Sequence, residues 1–306
     1  MDSLPVDTSN PAVRDYLALI RLQVLTPLSL LINIVAVLVC ATIVKPTIGD
    51  ITKLYPTSIT FRPSLVAVYV MVIYVAQVGY CVLLVFARKA ETKKALVKAV
   101  GVSLVLANWT MAFWAIAWVM RLFLLSTVLL GILVVLLAYS NVVLLVYHTP
   151  TTERPLDMML IHAPLRFFFV LPLSLMFPYS LFITLGLTYP PNHPEYYDRY
   201  AWPGFAVVFS ANLLGLAVIA IGRDITWAIA ATWICVSEWS ARPKPMPVYS
   251  TTILFTVLHP LTLLATMMYH FLSQRGRRGP IALPADDDDH HRPVRRPQEV
   301  DSDAWA

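Results

Sequence analysis

The sequence predicts an all-α fold, a polytopic transmembrane helix bundle of eight spans, or seven if the shortest of them falls away. Three observations predict it. Of the 306 residues, 58% are hydrophobic and only 13% charged, whereas soluble domains run near 45–50% apolar and about 25% charged. The mean hydropathy is +0.67, more apolar surface than a water-soluble core of this size can hide. The apolar residues also come in continuous runs near the roughly 20 residues a spanning helix needs, and the alternating segments of about ten residues that mark a membrane β-barrel are not seen. Lipid offers no partner to a free N–H or C=O, so each run must satisfy its backbone internally as a helix.

The runs follow in order. Residues 1–24 (MDSLPVDTSNP… at the start) carry acids and prolines where a secretory leader has a basic segment, so they read as a cytosolic N-terminal segment. The bundle occupies residues 25–272. Its first run is 25–44 and its second 65–86, which is free of charge. The third, 97–120, is separated from the fourth, 122–147, by little more than Arg121. The fifth is 165–189 and the sixth 205–221. The seventh, 225–239, is short and follows Gly222-Arg223-Asp224, a break that suits a tight helical hairpin. The eighth is 248–272. Residues 273–306, with RGRRG, four consecutive aspartates and His290-His291, are too polar to fold alone and read as a disordered cytosolic tail.

Lys and Arg near span ends orient such a bundle. With eight spans, the side holding both termini carries thirteen of them and the other side seven, and the segment 87–99 alone contributes Arg88, Lys89, Lys93, Lys94 and Lys98. Both termini are therefore expected in the cytosol. The net charge of +5 is then a topology signal. No basic stripe interleaved with exposed aromatics points to nucleic acid; membrane lipid is the expected surrounding partner, and protein partners are not readable. No Arg-rich amphipathic leader is present, so secretory-pathway membranes are the default location. Cys40, Cys81 and Cys235 lie singly in apolar stretches, which argues for packing over disulfide or metal use. No cofactor is expected. No P-loop, HExxH, G-x-S-x-G or histidine cluster is present, so an enzyme is not expected.

Two loops on the non-cytosolic side are richer than linkers. Residues 45–64 read KPTIGDITKLYPTSITFRPS, and 188–203 read TYPPNHPEYYDRYAWP. Tyr and Trp favour the headgroup layer, so an aromatic belt is the plain reading, and a mouth over a binding site the sharper one.

Polar residues inside spans are costly and mark function or helix contacts. Asn33, Asn108, Asn141 and Asn212 fall in spans one, three, four and six. Pro172 and Pro178 in span five each remove a backbone donor and favour a kink. His259, before Pro260, places an imidazole in span eight, and Glu238, near the end of span seven, sits four residues from Arg242, within ion-pair reach on a helix. On the third span, at ~100° per residue, Asn108, Met111, Trp114, Ala115 and Trp118 share an arc of about 120°. An amide, a thioether and two indoles on one face suit a flat, apolar ligand with one polar edge. The glycosylation pattern Asn108-Trp109-Thr110 lies within the span, out of reach of a modifying enzyme.

Four segments carry a family resemblance: ITKLYPTSITFRPSLVAVYVMVIY (51–74), LVLANWTMAFWAIAW (104–118), HAPLRFFFVLPLSL (162–175) and GRDITWAIAATWICVSEW (222–239). Their order resembles the long relatives of the tryptophan-rich sensory protein / translocator protein family, and looks most like a fungal group of multispanning membrane proteins. Asn108, Trp109, Trp114 and Trp118 match the family's third-span pattern residue by residue. Where relatives keep Gly and Trp at the entry to span two, this chain has Phe61-Arg62-Pro63-Ser64-Leu65. The resemblance implies a protein that binds or senses a hydrophobic ligand, a tetrapyrrole or a sterol, and the helical face of Asn108, Met111, Trp114 and Trp118 is the expected site. The intramembrane prolines, asparagines, His259 and Glu238 leave two alternatives open: a transporter or channel for a small solute or ion, and a structural or assembly membrane protein.

Overall fold

A computed structural model describes residues 11–86, 95–147 and 158–277, and among them the chain is helical throughout apart from its connections. It divides into one unit ending at Met267 and a second beginning at Met268. The described part of the second unit, residues 268–277, is the last stretch of the final helix, with Met268 through Leu272 exposed.

Helix α1 (Pro11–Thr42) starts well before the apolar run that predicts it. Proline is well suited to the first helical position, and the apolar, span-length part begins at Tyr16. A short α2 (Ile48–Leu54) follows, then α3 (Pro63–Phe86). A π turn (Ala95–Val100) leads into α4 (Gly101–Val119), and α5 is Phe123–Tyr147. The fifth expected run is compound. A π turn (Met158–His162) opens it, α6 (Ala163–Leu171) follows, a second π turn covers Pro172–Met176, and α7 (Phe177–Thr184) ends it. A 3-10 turn (Pro194–Asp198) precedes α8 (Ala201–Gly222), α9 (Ile225–Trp239) and α10 (Met246–Arg277).

Among the described residues, seven helices are long and apolar enough to cross a membrane, and the protein is a multi-pass α-helical membrane bundle. The expected segment that misses this length is the seventh, α9. Its 15 residues reach about 22 Å at 1.5 Å per residue, short of a hydrocarbon core of about 30 Å. It lies inside the bundle, with Ala230, Ala231, Ile234 and Cys235 buried.

The hairpin expected at Gly222-Arg223-Asp224 and the short break at Arg121 are both built on left-handed backbone. Arg121 has φ 61° and Arg223 φ 50°. That conformation turns the chain so that Leu122 N–H reaches Ala117 O at 3.0 Å and Arg223 N–H reaches Ile219 O at 2.8 Å, closing the ends of α4 and α8. The two prolines of the fifth run act differently from each other. Pro172 begins the π turn, where Phe177 N–H bonds back to Pro172 O. Pro178 sits in the first turn of α7, directly after the π turn, and does not break it. Pro260 is likewise contained in an unbroken α10.

Helix α4 is central and packs most extensively on α1 and α5. Hydroxyl pairs tie the helices where dispersion alone would leave the register loose: Ser103 to Ser140 at 2.6 Å, and Thr127 to Ser180 at 2.7 Å and Thr184 at 2.8 Å. The outer faces are apolar. On α3, Val68, Met71, Val75, Val78 and Val82 are exposed at helical spacing, an inverted amphipathicity that lipid, not water, accepts.

The two rich loops meet at one end of the bundle. Thr57 bridges Thr188, and Tyr189 N–H donates to Pro56 O at 3.1 Å. Arg62 N–H donates to Ser237 O at 2.8 Å, which brings the end of α9 to the same place. This is called the loop end below. The charge-rich residues 87–94, Arg154 and the tail beyond residue 277 lie outside the described residues.

Candidate functional site

The third expected span, α4, turns the predicted face inward. Asn108, Met111, Trp114, Ala115 and Trp118 are all buried, while Trp109 stacks on exposed Phe113 on the other side, ring centroids 5.8 Å apart. Met111, Trp114 and Trp118 stand in the wall of a cavity of about 520 Å³, within the usual range of small-molecule sites. The facing walls come from α1 (Ile34, Val37), α3 (Val66, Val70, Tyr74) and α2 (Ile48, Gly49, Thr52), with Tyr179 of α7 completing them. No charged side chain lines it.

Asn108 does not line the cavity; it belongs to a buried amide chain at its base. Asn33 Nδ2 donates to Asn108 Oδ1 at 3.0 Å, and Asn108 Nδ2 donates to Gln77 Oε1 at 3.0 Å. The Tyr74 hydroxyl, on a residue that lines the cavity, donates to Asn33 Oδ1 at 3.4 Å. Helices α1, α3 and α4 are thereby locked together one level below the indoles.

Tyr179 organises the other end. Its hydroxyl donates to Thr52 O at 3.1 Å and Tyr55 O at 2.9 Å, fastening α2 over the cavity. Its ring meets Phe61 edge-on at 5.1 Å and Trp118 at 5.9 Å. Helix α2 is held at its own start by a reciprocal cap. Thr47 Oγ1 accepts Asp50 N–H, and Asp50 Oδ2 accepts Thr47 N–H, each at 3.1 Å. These hydrogen bonds from Thr47 hold the Asp50 carboxyl below its ordinary range.

The two indoles lie 5.8 Å apart and 34° from parallel. Both are more than nine-tenths buried, and neither Nε1–H has a hydrogen-bond partner. A buried donor left unmade costs about 1–3 kcal/mol; both N–H groups are shut away from solvent, so the indoles meet the cavity with their ring carbons.

The other predicted polar residues are elsewhere. Asn141 Nδ2 donates to Leu137 O of its own helix at 2.8 Å. Asn212 Nδ2 donates to Val208 O at 2.8 Å, while its Oδ1 accepts the Cys235 thiol at 3.0 Å. His259 Nε2 lies 3.4 Å from Asn212 O, so these three residues join α8, α9 and α10. The ion pair expected between Glu238 and Arg242 does not form. Arg242 sits 4.0 Å above the Tyr249 ring, and the cation acting on buried Glu238 is Lys244. Arg242 lies in the six-residue connection 240–245 between α9 and α10, so helical i+4 spacing does not hold beyond residue 239. Pro172 and Pro178 line no part of the cavity.

Sequence reasoning missed Gln77, Tyr74, Tyr179 and the ion pair Arg166–Asp224. Gln77 carried the same signal as the asparagines, an amide in an otherwise apolar run. The tyrosines carried none, because a buried tyrosine and an interfacial one read alike in a sequence.

A second, smaller hollow of about 230 Å³ lies at the loop end, lined by Lys53, Thr60, Tyr189 and Arg242 among others. Lys244, behind it, donates to Thr60 O at 2.8 Å and Ser58 O at 3.3 Å. Burial pushes its ammonium down to about 8. Among the described residues no three of His, Cys, Asp and Glu converge on a point where a metal ion could sit. Compared with known proteins, the chain matches no family model, no curated protein and no solved structure.

Proposed function

We propose that this multi-pass membrane protein binds a lipid-soluble molecule with a flat apolar body in the cavity beside α4. The observation that carries the reading is the pair Trp114 and Trp118: two neighbouring indoles in the wall of an uncharged cavity. Indole faces stack on flat rings, and the hydroxyls of Thr52, Ser64 and Tyr74 in the lining supply a polar edge. The similarity of 104–118 to the third span of the tryptophan-rich sensory protein family supports the same class, a tetrapyrrole or a sterol. Ligand reaches the cavity sideways from the bilayer, because the lining residues Leu38 of α1 and Met71 of α3 are exposed on the outer surface. Asn141 bonds within its own helix, and Asn212 and His259 tie neighbouring helices together, which favours binding over transport. Because Ser237, near the end of α9, lies beside Arg62, α9 returns the chain to the loop end despite its length, and the Lys and Arg distribution then supports cytosolic termini and a loop end on the opposite face.

Titration of the purified protein in detergent with protoporphyrin and with sterols, followed by tryptophan fluorescence, tests this. Saturable quenching, weakened at least several-fold by Trp114→Ala, is expected. A response that does not saturate with any of them, or that Trp114→Ala leaves unchanged, overturns it.

A further inference from the structure

The large cavity and the small hollow adjoin: Thr52, Phe61 and Pro63 line both. Their chemistry is opposite. The lining of the large one holds no charged residue; its polar groups are a few hydroxyls, set among the two indoles and three methionines. The small one contains two cations, Lys53 and Arg242, and no acid. We infer that the natural ligand is an anionic amphiphile, its apolar body in the large cavity and a carboxylate or phosphate group at Lys53 and Arg242.

The inference rests on the proposed ligand cavity and adds a head group to it. Both cationic side chains are exposed at the bundle's loop end, where a head group reaching past Phe61 meets the membrane surface. Arg242 is oriented by stacking on Tyr249. Lys53 stands at the C-terminal end of α2, and the same helix lends Ile48, Gly49 and Thr52 to the apolar wall, so one short helix spans body and head. Tyr189 adds a phenol, held in place by the bond from its own N–H to Pro56 O.

The neighbouring charges do not cancel this field. Asp50, one turn before Lys53, is engaged in the cap with Thr47. Buried Glu238 is opposed by Lys244, whose ammonium points at the Ser58 and Thr60 carbonyls. A neutral sterol would leave both cations unused. An anion within about 4 Å of them gains charge-assisted hydrogen bonds, and Arg offers a planar fork for a carboxylate or phosphate.

The test uses the whole protein in neutral detergent and two matched fluorescent probes, dehydroergosterol and dehydroergosterol hemisuccinate, read by energy transfer from tryptophan. The hemisuccinate is expected to bind at least tenfold more tightly. The advantage should shrink in high salt and fall below threefold in Lys53→Gln/Arg242→Gln, while affinity for the neutral probe stays unchanged in that variant. Both substitutions are at exposed side chains, and an unchanged thermal transition verifies the fold. Equal saturable affinities for the two probes overturn the anionic head and leave the cavity reading standing. Saturation by neither probe overturns both. Full displacement of the hemisuccinate probe by free succinate at millimolar concentration also overturns the inference, because the small hollow would then be a separate anion site.

Discussion

Asp224 holds Arg166 with one carboxylate oxygen, at 2.7 Å, and caps helix α9 with the other, accepting Trp227 N–H at 3.1 Å. Both side chains are more than nine-tenths buried. One residue therefore fixes where α9 starts and which helix it lies against. Removing one partner from a buried pair strands the other charge and costs about 3–5 kcal/mol. Arg166→Met is expected to lower stability by that order, and Asp224→Asn to lose the ion pair while retaining most of the cap. The double substitution should cost less than the sum of the singles. Thermal unfolding of the four proteins in one detergent measures the coupling, and strict additivity would refute it.

The amide chain predicts a contrast between two asparagines of similar sequence appearance. Asn108→Leu removes two interhelical hydrogen bonds and leaves Asn33 and Gln77 facing an apolar side chain. At about 0.6 kcal/mol per membrane hydrogen bond, with the stranded groups added, a loss of roughly 1–3 kcal/mol is expected. Asn141→Leu removes only a bond within its own helix and should change stability by less than about 0.5 kcal/mol. Equal losses for the two variants would show that the chain does not hold α1, α3 and α4 together.

Helix α2 is short, so its cap matters more than its propensity. Thr47→Ala should cost about 1 kcal/mol locally and weaken ligand binding several-fold, because Ile48, Gly49 and Thr52 are cavity wall. The global transition should shift little. The pH dependence has a definite sign. The folded carboxyl of Asp50 titrates below its unfolded value, so its contribution is present above the ordinary carboxylate range near 4 and is lost as pH falls through it. Hydrogen exchange across residues 48–54 should rise in Thr47→Ala at neutral pH and in the wild type only in acid. Protection of α2 that is indifferent to both would contradict the cap.

Lys244 gives the opposite pH signature. Its folded value, about 8, lies below an unfolded lysine near 10.4, so between those values the unfolded state binds more protons. Stability must therefore rise with pH across that window. The desolvation cost is fully present below pH 8 and is relieved as pH climbs towards 10.4. The gap in melting temperature between wild type and Lys244→Met should shift in favour of the wild type between pH 8 and pH 10. A gap that stays constant would mean that Lys244 is solvated in the folded protein.

Much of the fold was legible in the sequence, and the physical reason is the solvent. Lipid forces every long apolar run to be a helix, so the runs at 65–86 and 122–147 match α3 (Pro63–Phe86) and α5 (Phe123–Tyr147) within two residues. The same solvent hides the faces. When core and surroundings are both apolar, hydropathy does not say which side of a helix meets protein. The α4 face was readable because asparagine, methionine and tryptophan repeat there at helical spacing. The start of α1 was missed because Arg14, Asp15 and Arg21 interrupt the apolar pattern and made residues 1–24 read as a cytosolic segment, yet residues 11–24 continue the helix.

The sequence by itself determined the multi-pass helical bundle, the short break at Arg121, the tight hairpin at Arg223, and the inward face of α4. Each follows from local rules: backbone satisfaction in lipid, turn length and helical period. Only the tertiary structure decided that Met111, Trp114 and Trp118 reach a cavity while Asn108 joins Asn33 and Gln77 beneath it. It alone brought Lys53 and Arg242, far apart in the chain, to one hollow at its edge. Those meetings depend on how four helices and two loops pack, and no residue's own chemistry specifies its neighbour across the bundle.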